Sequence, residues 1–333
     1  MKLANKIIIG CLLSLMSISC HSQNKEEMEA EVNSLLSNLY KEVQYQDESI
    51  NYQMQITIGG CGFEVLVNDL DVYRDPDPGN GELEGSISMN IGINNNILKS
   101  GLQTWEVRVY PISNIAFSLD TLSENISLTI RINAVRYHDK GVTQLVEPIY
   151  LLETPLVEKK SKLVYADAGK PMMVYKGTFE AKVPYELVGW SKSRDLRRMD
   201  QDKLFAMLLN EYRVFSSYIK EGELDHIAKT VKRSYEDRAQ YLFFTKEDNE
   251  NQMDIFNKAY SRPKLKVYPL ENYKMTFWGD GRMVTLERID YKFNSALIAE
   301  YPVMRREKED IENISYNLFF HIPEGSDQLE IIR

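Results

Sequence analysis

The sequence predicts a mainly β fold followed by an α+β unit: an N-terminal antiparallel β-sandwich, then two to three helices packed on an antiparallel sheet. Between about residues 50 and 190, short runs place apolar residues at every second position, the period of half-buried strands. After Trp190 the apolar period becomes that of amphipathic helices, and alternating runs return from residue 264 onwards. Because 333 residues exceed one typical core, we expect two domains.

Short runs rich in β-branched or aromatic residues make up the predicted sandwich, with Gly, Pro, Asn or Asp between them. In one run Trp105, Val107 and Val109 face one way, while Glu106 and Arg108 face the other. One side of that sheet should therefore be core, and the other should meet solvent or a partner. The runs are residues 53–58, 63–67, 86–91, 104–110, 126–133, 162–165 and 174–183.

An amphipathic helix is predicted before the sandwich. Apolar residues recur at helical spacing over residues 25–46, and acidic residues rather than lysines crowd the polar side. Since helices that lie on membranes are rich in lysine and arginine, we expect this one to pack against the domain that follows it.

The C-terminal region has helices first and strands afterwards, the order of an α+β domain. Asp200 or Asp202 can cap a first helix, which Gly222 ends. A second helix continues from Leu224, and a shorter third stops before Pro263. The predicted strands are residues 264–268, 273–278, 282–288, 313–322 and 329–332, with Gly279-Asp280-Gly281 as a hairpin turn.

The first twenty residues have the pattern of an export signal. Two lysines precede an apolar run at residues 7–16, which is too short to cross a hydrocarbon core of roughly 30 Å. Residues 15–20, Leu-Met-Ser-Ile-Ser-Cys, resemble the lipobox of bacterial lipoproteins in a relaxed form common in Bacteroidota, with Ser17 where the strict pattern prefers Leu. The resemblance implies cleavage before Cys20 and acylation of that cysteine.

The segment after Cys20 resembles the tag that sends some Bacteroidota lipoproteins to the cell surface, and Lys25, Glu26 and Glu27 carry this resemblance. We therefore expect an outer-membrane lipoprotein, periplasmic or surface-exposed, that contacts the membrane through its N-terminal lipid. The predicted boundaries are a signal peptide at 1–19, a lipidated tether and amphipathic helix at 20–48, the sandwich at 49–190, a polar linker at 191–199 and the α+β domain at 200–333.

Charge and cysteine content exclude several classes of protein. The formal net charge is −9 and the basic clusters are short and lie near acids, so we expect no nucleic-acid partner. Cys11 leaves with the signal and Cys20 takes the lipid, so that Cys61 remains alone and no internal disulfide can form. Cys61 has no neighbouring His or basic residue, and we interpret it as a small buried hydrophobe rather than a reactive thiol.

No familiar hydrolase, phosphate-loop or metal motif occurs in the sequence. His138, His226 and His321 have no partners at metal-ligand spacing, and we interpret them as structural or surface histidines. The alternating acids of residues 75–82 do not have the spacing of a calcium-binding EF-hand, so a solvated loop is favoured. We therefore expect neither a metal nor a cofactor.

A cluster of acids, Glu221, Glu223 and Asp225, surrounds the predicted helix junction. Paired carboxylates could serve as general acid and base if a cleft raised one pKa. Acids that follow the glycine at a helix end also suit the start of the next helix, and this structural interpretation is favoured.

Two further features suggest surface sites. Trp105, Trp190 and Trp278, together with many tyrosines, could form a platform that stacks on sugars, although alternating aromatics in strands are usually core. The residues Asp120-Thr121-Leu122 match the short motif at which Bacteroidota attach O-glycans to exported proteins, which implies that Thr121 is exposed and modified.

Both halves resemble known folds over short stretches. Leu98-Lys99-Ser100-Gly101 and the alternating strand after it resemble galactose-binding-like jelly rolls and sandwich domains of Bacteroidota lipoproteins. The resemblance covers about twenty residues, and it implies a fold rather than a ligand. The helix pair at 212–228 and the order of elements after it are similar to the nuclear-transport-factor-like fold, which often encloses a pocket.

These observations predict a non-catalytic binding lipoprotein that recognises a protein, with an immunity-type lipoprotein that blocks a toxin as one version. An acidic chain favours fast capture of a basic partner. A glycan-binding accessory protein for nutrient capture is the alternative, with solvent-facing tryptophans along a groove. An enzyme with an unrecognised site in the C-terminal domain is the third possibility, and it requires polar side chains that converge on His226 or His321.

Overall fold

A computed structural model describes residues 26–77, 85–113, 118–138, 141–262, 264–290, 294–305 and 308–333. The predicted signal peptide, Cys20 and Lys25 lie outside the described residues. Among the described helices, none is both long and apolar enough to cross a membrane.

The N-terminal half is the predicted antiparallel β-sandwich. Its described strands are β1 (Asn51–Gly59), β2 (Gly62–Val67), β3 (Leu70–Asp75), β4 (Ser86–Gly92), β5 (Gly101–Tyr110), β6 (Ser127–His138), β7 (Gly141–Glu153), β8 (Leu156–Lys159), β9 (Lys162–Tyr165) and β10 (Met173–Ala181). Sheet I has the order β4-β1-β6-β7, sheet II has the order β10-β5-β2-β3, and β8 and β9 form a separate hairpin. Met54 and Ile56 of sheet I share one apolar core with Val65 and Val107 of sheet II.

Three strands of this half, β3, β7 and β8, are not anticipated by the sequence pattern. Strand β7 lies at the edge of sheet I, and most of its side chains are exposed or only half buried. An edge strand that buries neither face cleanly shows no alternation of apolar residues, which is why its sequence gave no strand signal.

The described residues of the other half include four α-helices: α1 (residues 26–36), α2 (Gln201–Glu221), α3 (Leu224–Tyr241) and α4 (Lys246–Tyr260). Asp200 rather than Asp202 caps α2, because its carboxylate accepts a hydrogen bond of 2.9 Å from the backbone N–H of Lys203. Gly222 ends α2 with φ of +72°, in the left-handed region that glycine adopts at low cost.

The strands that follow α4 form two antiparallel sheets: β11 (Lys266–Val267), β12 (Tyr273–Trp278), β13 (Met283–Arg288), β14 (Ile298–Arg305), β15 (Lys308–Ser315), β16 (Phe320–His321) and β17 (Glu330–Ile331). The sheet orders are β12-β13-β16-β17 and β11-β14-β15. The predicted strand at 313–322 is wrong as one element, since β15 and β16 lie in different sheets. Strand β14 was not predicted, and Pro302 in its middle obscures the strand pattern.

Helix α1 packs on the C-terminal helices, and not on the sandwich that follows it in the chain. Val32 and Leu36 are buried in the same core as α2, α3 and α4. Asn249 of α4 accepts a hydrogen bond of 3.0 Å from the Tyr40 N–H and donates one of 2.9 Å to the Leu36 carbonyl. The expectation that α1 packs against the sandwich is therefore wrong, and α1 packs against the C-terminal half instead.

The segment predicted as a polar linker is built into the fold. Leu196 is fully buried in the C-terminal core, and the Arg194 N–H donates to the Ile322 carbonyl at 3.0 Å. A junction core joins the two halves beside this segment, and it contains Leu66, Leu70, Trp190, Trp278, Met283, Phe319 and Ile332. The two halves are therefore in direct apolar contact and are not joined by a flexible linker alone.

Candidate binding surface

Sheet I turns one side to the sandwich core and its other side outward. Along β1, Met54 and Ile56 are fully buried, while Gln53, Gln55 and Thr57 are only half buried. The strict period of two in β1 thus places uncharged polar side chains together on the outer side.

Cross-strand hydrogen bonds connect these outward side chains. Asn90 Nδ2 of β4 donates to Gln53 Oε1 at 2.6 Å, and Arg131 Nε of β6 donates to Gln55 Oε1 at 2.5 Å. We call this surface the polar face, and it is defined by Gln53, Gln55, Thr57, Ser88, Asn90 and Arg131. Because each amide is held by a neighbour, its remaining donors and acceptors are oriented in advance.

Exposed apolar and aromatic side chains border the polar face. Tyr150 of β7 is 56% exposed, and its hydroxyl accepts from Arg131 Nη1 at 3.5 Å. Tyr137 accepts a hydrogen bond from Gln53 and is the cross-strand partner of Val142, which is 55% exposed. We call this border the apolar margin, and it consists of Tyr137, Val142 and Tyr150.

The side chains that define the polar face carry little charge. Of the six side chains that define the polar face, only Arg131 is charged, although the chain as a whole has a net charge of −9. Tyrosine and arginine are enriched in protein interfaces, whereas lysine, glutamate and aspartate are depleted. Tyrosine, serine and asparagine also dominate antibody paratopes, because they combine contact area with adaptable hydrogen bonding.

The edge of sheet I at β7 is less suited to binding than the face of the sheet. Strand β7 contains Pro148, and its pairing with β6 is interrupted by three register shifts. Proline and bulges are the devices that blunt an edge against the addition of another strand. The geometry therefore favours contact across the side chains of sheet I over strand addition at β7.

The three tryptophans predicted as ligand contacts are buried, which corrects the expectation of a sugar-stacking platform. Trp105 is 9%, Trp190 7% and Trp278 4% exposed. Trp105 faces the sandwich core beneath Gly177, where an added Cβ would lie 2.9 Å from the indole ring. Trp190 and Trp278 lie in the junction core. Stacking on a sugar requires an open ring face, and none of these rings has one.

Other predicted surface residues are exposed. Thr121 lies in an exposed turn beside the buried Leu122, whose N–H donates to the Lys170 carbonyl at 2.8 Å. Glu26 and Glu27 are exposed at the start of the described part of α1. Modification of Thr121 and export through this tag remain predictions.

The acidic cluster and His226 line a groove of about 1160 Å³ between α1, the α2–α3 turn and the end of α4. Asp225 Oδ2 lies 3.6 Å from His226 Nε2 and 3.4 Å from Lys229 Nζ. Glu221 and Glu223 also border the groove. No group of three or more His, Cys, Asp or Glu side chains is placed to hold a metal among the described residues, and residues 78–82 of the predicted acidic loop lie outside them.

The remaining histidines do not converge on a cavity. His138 is exposed and lies 3.0 Å from Thr143 Oγ1. His321 is 5% exposed, its Nδ1 lies 2.7 Å from Ser193 Oγ, and burial lowers its pKa to about 4. Cys61 is fully buried and burial raises the pKa of its thiol to about 12, so it is an inert core residue as predicted.

The fold and this surface define a β-sandwich joined to an α+β half, with a neutral, hydrogen-bonded face and an apolar border. A scan of protein-family models, a search of curated proteins and a search of solved structures each found no match to the chain.

Proposed function

We propose that the chain is a non-catalytic, lipid-anchored binding protein of the bacterial outer membrane that recognises a protein ligand through the polar face and the apolar margin. The observation that supports this function most is the exposure of Tyr137, Val142 and Tyr150 beside a nearly uncharged face. A protein ligand would bury the apolar margin and form hydrogen bonds to the oriented amides. Protein interfaces usually combine these two kinds of contact.

The proposed anchor is compatible with the position of α1. Five residues separate Cys20 from residue 26, and an extended chain of that length spans at most about 20 Å. Because α1 belongs to the C-terminal core, a lipid on Cys20 would hold that core close to the membrane.

Acylation can be tested directly. We expect an alkyne-labelled fatty acid to be incorporated into the full chain, and the Cys20→Ala variant to lose both the label and its recovery with membranes. Myristoylation gives only marginal membrane binding, so stable anchoring requires more than one chain, as acylation of both sulfur and amine would provide. An unlabelled, unprocessed chain in the soluble cytosolic fraction would refute the anchor.

Ligand recognition is tested with the soluble chain that begins after Cys20. A captured ligand should bind the Val142→Ser/Tyr150→Ser double variant at least about tenfold more weakly, because interface aromatics often contribute more than 1.4 kcal/mol. The matched control is Met304→Ser/Ile311→Ser, which removes two side chains that are 70% and 53% exposed on β14 and β15. Equal binding by both double variants would place the ligand elsewhere.

One form of this proposal is an immunity-type lipoprotein. The overall negative charge would accelerate encounter with a basic toxin, and contact would then be made by the polar face. The acidic groove at the α2–α3 turn is the alternative contact for such a toxin, and the two double variants above leave it intact.

A glycan is the second candidate ligand, and the polar face itself favours it. Gln55 and Asn90 offer amide donors and acceptors, and Tyr150 offers an exposed ring for stacking. Trp105→Ala is unsuitable as a test because the ring is core. Glycan-array binding that is lost in Tyr150→Ala, with the circular dichroism spectrum unchanged, would favour the glycan over the protein.

A further inference from the structure

Two adjoining cavities lie between the sandwich and the C-terminal half. The larger has a volume of about 370 Å³, and the smaller has one of about 70 Å³. Asn95, Arg238 and Arg333 line both cavities. The larger volume is within the range of small-molecule sites, which are often found where domains meet.

A third arginine in the larger cavity is fully paired. Arg74 Nη1 lies 3.0 Å from Glu287 Oε1, and Arg74 Nε lies 3.8 Å from Asp71 Oδ2. The two carboxylates that line the larger cavity thus both form ion pairs with the Arg74 guanidinium.

The other two guanidinium groups have no carboxylate. Neither Arg238 nor Arg333 forms an ion pair with any described residue. Two of their hydrogen bonds are long and lead to residues that line neither cavity: Arg238 Nη1 lies 3.5 Å from Gln252 Oε1, and Arg333 Nη2 lies 3.5 Å from Asn96 Oδ1. Within the cavities Arg238 also bonds to Tyr241, and Asp71 attracts Arg333 without forming an ion pair with it. Both residues are half buried as a whole, and positive charges that are partly withdrawn from water are normally paired, because desolvation is costly.

Among the residues that line both cavities, two side-chain polar atoms are also buried without a hydrogen-bond partner in the described part of the chain. They are Arg333 Nη1, a donor, and Asn95 Oδ1, an acceptor. The Arg333 guanidinium carbon otherwise faces rings, at 5.8 Å from the centroid of Trp190 and 5.7 Å from that of Phe319. A buried polar atom of this kind destabilises the fold unless something bonds to it.

Asp237, the acid next to Arg238 in the sequence, does not form an ion pair with either arginine. Asp237 lines the smaller cavity, but its Oδ1 lies 3.1 Å from Arg233 Nη2. Its ion-pair partner is therefore Arg233, and not Arg238 or Arg333. Burial raises the pKa of Asp237 to about 6 although Arg233 opposes the shift, so this carboxylate is only partly compensated by its own partner.

We propose that the cavity binds a small oxyanion, a carboxylate or phosphate, between Arg238 and Arg333, with a hydroxyl group of the ligand donating to Asn95 Oδ1. Planar guanidinium groups bind both kinds of oxyanion through paired N–H donors. The ligand supplies the missing negative charge and both missing hydrogen bonds. Since the site lies between the halves, the bound anion stabilises their contact.

The test titrates the soluble chain with sodium phosphate, sodium acetate and sodium glycolate at an ionic strength kept constant with sodium chloride. Binding is followed by the melting temperature and by tryptophan fluorescence, because Trp190 lies next to Arg333. We expect a saturable rise in melting temperature with phosphate or a carboxylate. Tighter binding of glycolate than of acetate is expected from the added hydroxyl.

Arg238→Gln should weaken binding at least about tenfold, since a bond to a charged group contributes more than 1.4 kcal/mol. The matched control Arg198→Gln changes an arginine whose side chain is 85% exposed and should leave binding unchanged. If Arg238→Gln does not fold, Arg238→Lys replaces it, with weaker binding again expected from the lost fork of donors.

No saturable response to any of the three anions would overturn the proposal, and so would an equal response in the wild-type chain and the Arg238 variant. A response to phosphate alone would assign a phosphate ligand, and a response to the carboxylates alone a carboxylate ligand. Equal affinities for glycolate and acetate would remove Asn95 from the site.

Discussion

Glu287→Leu is expected to lower the free energy of unfolding by about 3–5 kcal/mol, because it removes the nearer carboxylate of a desolvated arginine and leaves Asp71, at 3.8 Å, as the carboxylate of its other ion pair. The carboxylate lies 3.0 Å from Arg74, and both side chains are less than a tenth exposed. Thr276 Oγ1 donates to the second carboxylate oxygen at 3.2 Å. The Arg74 guanidinium carbon also lies 4.8 Å from the ring centroid of Trp278, so that the charge is enclosed on several sides.

Urea denaturation followed by tryptophan fluorescence measures this effect. The double variant Arg74→Met/Glu287→Leu should recover most of the loss, since both charges of the buried pair are then removed and the Asp71 side chain that remains is 32% exposed. Lys99→Met is the exposed control: it breaks a pair of 3.7 Å whose side chains are 65% and 76% exposed, and should change the free energy of unfolding by less than about 1 kcal/mol. A cost for Glu287→Leu no larger than this control would show that the buried pair is not needed.

This ion pair connects β3 of the sandwich to β13 of the C-terminal half. Backbone contacts lie close by, since the Gly279 N–H donates to the Asp69 carbonyl at 3.0 Å. The junction core and these polar contacts together couple the halves. We therefore expect the Glu287→Leu loss to appear in one cooperative transition that includes both halves, and not in the C-terminal half alone.

Local signals in the sequence predicted the elements that depend on local chemistry. Asp200 and Gly222 mark the ends of α2 because capping and the left-handed conformation depend on neighbouring residues only. The turn between β12 and β13 was equally visible, and Gly279, Asp280 and Gly281 all have positive φ there. Thr245 and Asp248 form a capping box at α4 that the sequence also contained but that was not recognised.

The candidate sites depend on residues that are distant in sequence, which periodicity does not reveal. Alternation shows which side of a strand Trp278 occupies, but not that the other half of the chain covers it. In the same way Gln53 and Gln55 were visible as outward residues, whereas their hydrogen bonds to Asn90 and Arg131 required strand order and register. That Arg238 forms no ion pair with a described residue likewise depends on which residues surround it in the fold, and the sequence pattern does not show this.

The stability of the protein should respond to two buried groups with opposite signs between pH 7 and pH 4. Burial, with Arg233 as the lesser cause, lowers the pKa of His321 to about 4, from an ordinary value near 6.5. The unfolded chain therefore takes up a proton on this histidine as the pH falls below 6.5, while the folded chain does so only near pH 4. The contribution of His321 is fully present above pH 6.5, and roughly 3 kcal/mol is lost by pH 4.

Asp237 opposes this loss, because burial raises the pKa of its carboxyl group to about 6 in the folded chain. The folded chain binds that proton first as the pH falls from 6, which restores roughly 3 kcal/mol by about pH 4. The free energy of unfolding of the wild-type chain should consequently change little with pH, because the contributions of His321 and Asp237 change steeply in opposite directions. Arg233 connects the two groups, since it pairs with Asp237 at 3.1 Å and disfavours the charged form of His321.

His321→Asn separates the two effects. Its amide can keep the contact with Ser193 but cannot titrate, so the unfolding free energy of the variant relative to wild type should rise by roughly 3 kcal/mol between pH 7 and pH 4. Asp237→Asn should move in the opposite direction over the same range, because it removes the group that gains stability in acid. Urea denaturation at half-unit steps of pH measures both differences. A difference between His321→Asn and wild type that stays constant over this range would show that His321 titrates alike in the folded and unfolded chains, and that its burial has no consequence for stability in acid.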